Sequence, residues 1–370
     1  MTLFEKLGSY DDSFWDFANF RETSVLSKYP ATMVAPMQRE LIGEIIHYDS
    51  DIDHIMDPFM GSGTVLSIGR ELGLGVKGFD INPLATLITR VRIEGVPKDI
   101  HQHNENLKAR LKLYVGNTQD HTFNNIDKWF RDDVINSLSL IRAAIIDEET
   151  LRIRRFYWAC FTEIVKKYSN TRTSTFKLHV KEAGKINDMV DDSIEDFKNL
   201  VDQYSNNYII DPNNEDISLH TGDSATLLKR CGTRSVDLIY TSPPYGDNHT
   251  TVTYGQYSIL PLLWIDSRDL ESFDSRMLDN FSAIDSASLG GQSLDRNLRA
   301  DIEERYRKYI LGVSPGKQQK ILSFLHDYEA VYVEMARVLK KGKYLVLTLG
   351  NRRVDDKEIG HVKSCSQFQI

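Results

Sequence analysis

The 370-residue chain predicts an α/β fold: a parallel sheet with helices on both faces, interrupted by a mostly helical insertion. Three stretches carry this reading. "HIMDPFMGSGTVLSIGRELGLGVKGFDINP" runs from a short apolar strand through a glycine turn into a helix and back to a strand, which is a β-α-β unit. "VDLIYTSPPYG" is an apolar run of strand length that stops at two prolines, neither of which can continue a central strand. Between them, "VINSLSLIRAAII" and "FYWACFTEIVKKY" repeat apolar residues at helical spacing.

In chain order, Ile55 and Met56 end the first strand, and Gly61 and Gly63 make the turn. Val65 to Leu72 form the helix, and Val76 to Phe79 form the second strand, which ends at Asp80. This first part of the core, residues 1–99, is followed over 100–215 by helices that the sheet does not require. Within them, "LRIRRFYWACFTEIVKKYSNTRTSTFKLHVKEAGK" gathers Arg152, Arg154, Arg155, Lys166, Lys167 and Arg172 among aromatic residues and few acids. A basic, aromatic face suits a nucleic-acid backbone; the alternative is a helix core with a solvated charged side. The core resumes over 216–264, a second insertion, a candidate for reading the target or bracing the loop after "TSPPYG", covers 265–320, and 321–370 supplies the last helix and the strand "KYLVLTLGN" at 343–351. The strands are expected to stack first to fifth along the chain.

Composition narrows the class. With 41% hydrophobic and 26% charged residues the chain can bury a large core. Its three cysteines, Cys160, Cys231 and Cys365, are too far apart for a disulfide framework or a zinc cluster and fit a reducing cytoplasm. No resident metal is expected. The N-terminal "MTLFEKLGSYDDSFWDF" lacks the profile of a signal peptide, and no apolar run has bilayer length, so the expected location is the cytoplasm, without membrane contact. A net charge of −8 excludes a uniformly basic coat while leaving local basic patches open.

The glycine turn alone admits two ligands. An acidic residue about twenty positions past such a turn holds a ribose in dinucleotide folds, so a dehydrogenase is one reading. The third glycine of that fingerprint is replaced by Leu66, however, and Asp57 stands at the end of the strand that leads into the turn. A carboxylate there repels a pyrophosphate and attracts a cationic or amino-bearing nucleoside. Taken together, "DPFMGSGT", "GFDINP" and "TSPPYG" resemble the cofactor loop, the ribose-binding strand end and the catalytic motif of the S-adenosylmethionine-dependent exocyclic amino DNA methyltransferases. "KYPATMVAPMQRELI" is similar to that family's segment closing over the methionine end, and the likeness takes in "LHTGDSATLL" and "VYVEMARVLKKGKYLVLTLGN", about half the chain in all.

The resemblance implies a Rossmann-like class I methyltransferase sheet with S-adenosylmethionine as cofactor and double-stranded DNA as substrate. Lys28, Tyr29 and Pro30 would close over the cofactor; Asp57, Pro58, Phe59, Gly61, Ser62, Gly63 and Thr64 would form its loop. Asp80 would take the ribose and Asp223 the adenine amino group, with Asn82 and Ser224 beside them in the cofactor site, although an aspartate just after a strand is also an ordinary helix cap. Ser242, Pro243, Pro244 and Tyr245 would clamp the target base. Its amino nitrogen is a poor nucleophile because the lone pair is delocalised into the ring. The Ser242 hydroxyl and the Pro243 carbonyl can each accept an N–H bond and localise that pair, while Tyr245 stacks on a base flipped from the duplex. Serine before the prolines is the version associated with cytosine N4, in a restriction-modification or phage-defence setting. Adenine N6, guanine N2 of RNA, and a non-catalytic cofactor-binding subunit are the alternatives. Sheets of this type normally end in a further helix and an antiparallel strand pair, for which the nineteen residues after 351 are too few. A second polypeptide or a second copy of the chain is expected to cover the open edge.

Overall fold

The computed structural model describes residues 2–17, 20, 26, 29–30, 33–114, 121–172, 175, 177–210, 216–244, 253–280, 282–288, 303–307, 310–311, 313–349, 352–354 and 357–359. Its centre is a five-stranded parallel sheet of β1 (His54–Asp57), β2 (Gly75–Asp80), β3 (Ile217–Thr221), β4 (Val236–Thr241) and β5 (Leu339–Leu347). The spatial order is β3-β2-β1-β4-β5, not the chain order expected from the sequence. The chain steps outward from β1 through β2 to β3, then returns to the other side of β1. That reversal is what opens a crevice at the carboxyl ends of β1 and β4, where α/β sheets bind ligands.

Alternation along the strands builds two covers. Ile55 of β1 and Leu238 and Tyr240 of β4 join the buried cluster of α2 (Ala35–Tyr48) and α3 (Thr64–Glu71). Met56 and Ile239, one residue on, face the opposite cluster with α11 (Ser224–Lys229) and α14 (Pro315–Val338). The period of two in a strand makes neighbours in sequence serve opposite layers. A short α1 (Leu3–Gly8) starts the chain in a capping box in which Thr2 and Glu5 satisfy each other's backbone N–H groups.

Between β2 and β3 run α4 (Pro83–Glu94), α5 (Ile100–Tyr114), α6 (Ile126–Trp129), α7 (Asp132–Ile146), α8 (Leu151–Tyr168), α9 (Ala183–Asn187) and α10 (Ser193–Ser205). After β4 come α12 (Tyr254–Trp264) and the short α13 (Ala283–Ala287). One continuous buried cluster runs from Leu84 and Ile88 of α4 through Phe156, Trp158 and Phe161 of α8 to Leu260 and Trp264 of α12. The helical insertion therefore shares its core with the helices that flank the sheet.

This changes the reading of α8. Its aromatic residues Phe156, Tyr157, Trp158 and Phe161 are fully buried. Its arginines, expected on a nucleic-acid surface, are tied inward. Arg152 donates to the carbonyls of Gly95 and Glu94, and Arg155 to the carbonyl of Asp269. Arg154 meets the Asp269 carboxylate through Nε and Nη2 at 2.8 to 3.0 Å. Lys166 lies over the Tyr257 ring. The basic face expected from Arg152, Arg154, Arg155 and Lys166 is thus replaced by a packed one. Lys167, paired with Asp196, and Arg172 remain exposed.

The last strand begins at Leu339, earlier than expected, and ends at Leu347. Its pairing with β4 shifts register between Val236 and Leu238, which pair with Leu339 and Tyr344. Gly342, at φ 79°, permits that bulge, so "KKGK" is strand rather than the turn it resembles. Beyond it, β6 (Arg352–Val354) and β7 (Lys357–Ile359) form a short antiparallel pair, a separate two-stranded sheet that is not joined to the edge of β5. Among the described residues β5 pairs with β4 alone, and no observation supports a second copy of the chain on its edge. No helix among them is long and apolar enough to cross a membrane, and no group of three metal-ligating side chains occurs among them.

Candidate cofactor loop and catalytic strand end

The glycine turn is shaped by close approach. Gly61 and Gly63 have φ of 49° and 78°, in the left-handed region that side chains disfavour. A Cβ on Gly63 would lie 2.5 Å from Thr89 Cγ2, so the turn can sit on α4 only as glycine. Thr89 Oγ1 donates to the Gly61 carbonyl at 2.9 Å, and the buried Arg92 donates to the Ser62 carbonyl at 3.0 Å. Helix α4 thereby fixes the outer side of the turn, a role its sequence did not announce.

Asp57, at the end of β1, is completely buried. Its Oδ1 accepts from Thr241 Oγ1 at 2.6 Å and from the Phe59 N–H at 3.0 Å. Its Oδ2 is buried with no hydrogen-bond partner among the described residues. Burial pushes the Asp57 carboxyl up to about 7, against the lowering effect of its two donors. A buried carboxylate oxygen without a donor matches a ligand that brings one, such as the ammonium of an amino acid.

Asp80, at the end of β2, braces the same loop: Oδ2 accepts from Gly61 N at 2.9 Å and Oδ1 from Asn82 N at 2.8 Å. Each oxygen retains a second acceptor position, as a ribose contact requires. Desolvation raises this carboxyl to about 6, again opposed by the two N–H donors. Asn82 caps α4 through Leu84 N and donates from Nδ2 to the Tyr29 hydroxyl at 2.9 Å and to Ser258 Oγ at 2.8 Å. Tyr29 is buried, and one edge of its ring lies 3.9 Å from where a Cβ on Gly61 would stand. Pro30 and Pro58 are buried, Phe59 packs partly against the α11 and α14 layer, and the Ser62 and Thr64 hydroxyls are 3.3 Å apart. Lys28 lies outside the described residues.

The other strand ends are drawn to this loop. Ser224 donates its hydroxyl to the Pro58 carbonyl. Asp223 is exposed and caps α11, its Oδ1 accepting from Thr226 N at 2.8 Å and Thr226 Oγ1 at 2.7 Å. A cavity of about 380 Å³ opens beside it, lined by His220, Thr221, Gly222, Arg230 and Glu271, away from Asp57 and Ser242. At the end of β4, the Thr241–Asp57 bond places Ser242 next to the strand that carries the glycine turn. The Ser242 hydroxyl donates to the Thr348 carbonyl at 3.2 Å, and Thr348 N donates to the Thr241 carbonyl at 2.9 Å. A hydroxyl whose proton is directed at β5 turns its oxygen into an acceptor. Pro243 is buried and Pro244 half-buried; Tyr245 lies outside the described residues.

Sequence reasoning quoted Thr241 without giving it a task, and missed Thr89, Arg92 and the first turn of α12. The signal for Thr241 was its position beside Ser242; the others come from segments remote in sequence and had none. No family model matches the chain. Over 354 residues it is similar, at 29% identity, to the Type II methyltransferase M.MvaI of Kocuria varians, an alignment covering 88% of this chain and 76% of that protein. Together with the five-stranded parallel sheet, which is consistent with a Rossmann-like methyltransferase fold, this likeness supports a DNA methyltransferase family.

Proposed function

We propose that the chain is an S-adenosylmethionine-dependent DNA methyltransferase acting on an exocyclic amino group, cytosine N4, of a flipped-out base in a restriction-modification or phage-defence system. The observation that carries the reading is the Thr241–Asp57 hydrogen bond of 2.6 Å, which joins the strand end bearing Ser242-Pro243-Pro244 to the strand end bearing the glycine turn. The likeness to a Type II methyltransferase agrees with it, and such enzymes with this sheet generally use S-adenosylmethionine. That cofactor supplies a methyl group on a sulfonium, open to attack by an amino nitrogen.

The residues fit their tasks. Asp57 Oδ2 receives the amino group of the methionine part, Gly61 and Gly63 admit its backbone, Asp80 takes ribose hydroxyls and Asp223 the adenine amino group. Ser242 Oγ and the Pro243 carbonyl accept the target N–H groups and aim the nitrogen lone pair, with Tyr245 as stacking surface. Ser242 orients the nitrogen and is no base, because a methylated ammonium on a base ring is acidic enough to lose its proton to water. Adenine N6 is the second reading, since the same acceptors serve either amino group.

Nucleoside mass spectrometry of DNA from cells making the protein decides between them. N4-methylcytosine is expected; N6-methyladenine selects the alternative, and neither base rejects the reading. Ser242→Ala should keep cofactor affinity and lose about two orders of magnitude in turnover, the scale of one transition-state hydrogen bond. Unchanged turnover would remove Ser242 from the mechanism.

A further inference from the structure

The first turn of α12 is gripped from three sides. From the cofactor side, Asn82 Nδ2 holds Ser258 Oγ at 2.8 Å, while the Tyr29 ring stacks on Tyr254 at 5.7 Å and meets Tyr257 edge-on at 5.6 Å. From the helical insertion, Lys166 Nζ lies over the Tyr257 ring, and the Gln256 side chain accepts the Leu178 N–H at 3.0 Å. From the segment after α12, Asp285 accepts the Gly255 N–H at 2.9 Å. Five consecutive residues, 254 to 258, are thus all engaged, from three separate parts of the chain. One cap would have sufficed to start a helix.

The turn stands ten residues beyond Pro244, so whatever positions it also positions the far end of the segment that begins with Ser242. Lys166 is the costly member. Burial pushes its ammonium well below the ordinary lysine range, to about 6, against the attraction of the ring face for the charged form. A methionine or leucine would pack there without that cost, which points to a role for the amine itself.

We propose that the first turn of α12 is a coupling element, with Lys166 and Gln256 as positioning residues through which the helical insertion and the cofactor loop set the same turn. The identity of the ligand at the loop rests on the methyltransferase reading. Cofactor binding would tighten Tyr29 and Asn82 against the turn, and Lys166 and Gln256 would pass the change to α8 and to the segment around Leu178.

Hydrogen exchange with and without S-adenosylhomocysteine tests this on the full chain. In the wild type, protection is expected at residues 57–64, at 254–260 and at 164–180. In Lys166→Met the first two should persist and the third should be lost, with kcat reduced about tenfold or more and the cofactor KM within about twofold, as for a displaced catalytic segment. Gln256→Ala, which removes only a half-buried contact, should act in the same direction and covers the case in which Lys166→Met does not fold. Wild-type protection confined to 57–64 overturns the coupling while leaving the methyltransferase reading intact. Protection nowhere overturns both.

Discussion

Asp57 shows how one buried carboxyl can serve a ligand at the expense of the empty fold. Its folded pKa, about 7, stands above the ordinary value of 3.8, so its contribution to stability is complete below about pH 4 and is lost as pH rises through 7. In the proposed binding mode the ionised form receives the ligand ammonium. Cofactor affinity should therefore rise with pH through about 7, over the same range in which the Asp57 contribution to the stability of the ligand-free protein is lost. Asp57→Asn should remove the Asp57 part of both trends: isothermal calorimetry between pH 5.5 and 8.5 should give weak binding without the rise through about 7, and the melting temperature of the free wild type relative to the variant should fall as pH rises to about 7. A variant that binds as the wild type does would place the amino group elsewhere.

At the scale of elements, α8 is the instructive case. Its arginines look from the sequence like a nucleic-acid face, yet Asp269, itself buried, collects Arg154 through two nitrogens and Trp158 Nε1 at 2.7 Å. The site is a brace between the insertion and the turn after α12. Removing Asp269 leaves the buried Trp158 Nε1 without its acceptor, while Arg154 keeps the Glu148 and Glu149 carbonyls, and a loss of this kind typically costs about 1 to 3 kcal/mol. Asp269→Ala should therefore lower the unfolding free energy by an amount on that scale, read from urea denaturation, whereas a surface brace would lose under about 1 kcal/mol. Sheet edges are handled by the same economy of side chains. Arg90 donates to the Leu219 carbonyl and Glu271 accepts the Thr221 N–H, so two backbone groups of the outer strand β3 are occupied by side chains and not offered to another chain.

For the whole molecule, the shared core matters more than the boundaries drawn on the sequence. The cluster that begins in α4, beside the glycine turn, continues without a gap through the insertion to Trp264. An insertion that buries its aromatic residues against the helices of the sheet cannot unfold and leave the sheet's flank covered. Differential scanning calorimetry should accordingly show one transition for sheet and insertion, with the calorimetric and van't Hoff enthalpies in agreement. Two separated transitions, with the first silent at the cofactor loop, would show that the insertion is an independent unit.

The sequence by itself determined the β-α-β unit, because glycine, strand alternation and helix periodicity act over a few residues. It also marked three strand ends, at "DPFMGSGT", "GFDINP" and "TSPPYG", and the fold brings Asp57, Asp80 and Ser242 to one end of the sheet. What neighbours those groups was not legible there. The donor to Asp57 is Thr241, the lock on Gly63 is Thr89, and the contact over Tyr257 is Lys166, each supplied by a segment whose own pattern serves its own helix or strand. The direction of the α8 arginines was misread for the same reason. A charged residue at a helical position is exposed or paired according to what packs on that face, and here the packing partner, Asp269, comes from more than a hundred residues away. Local periodicity fixes which elements form; only the tertiary structure decides which of their polar groups meet, because that depends on the order of strands in the sheet and on how the long crossover returns to it.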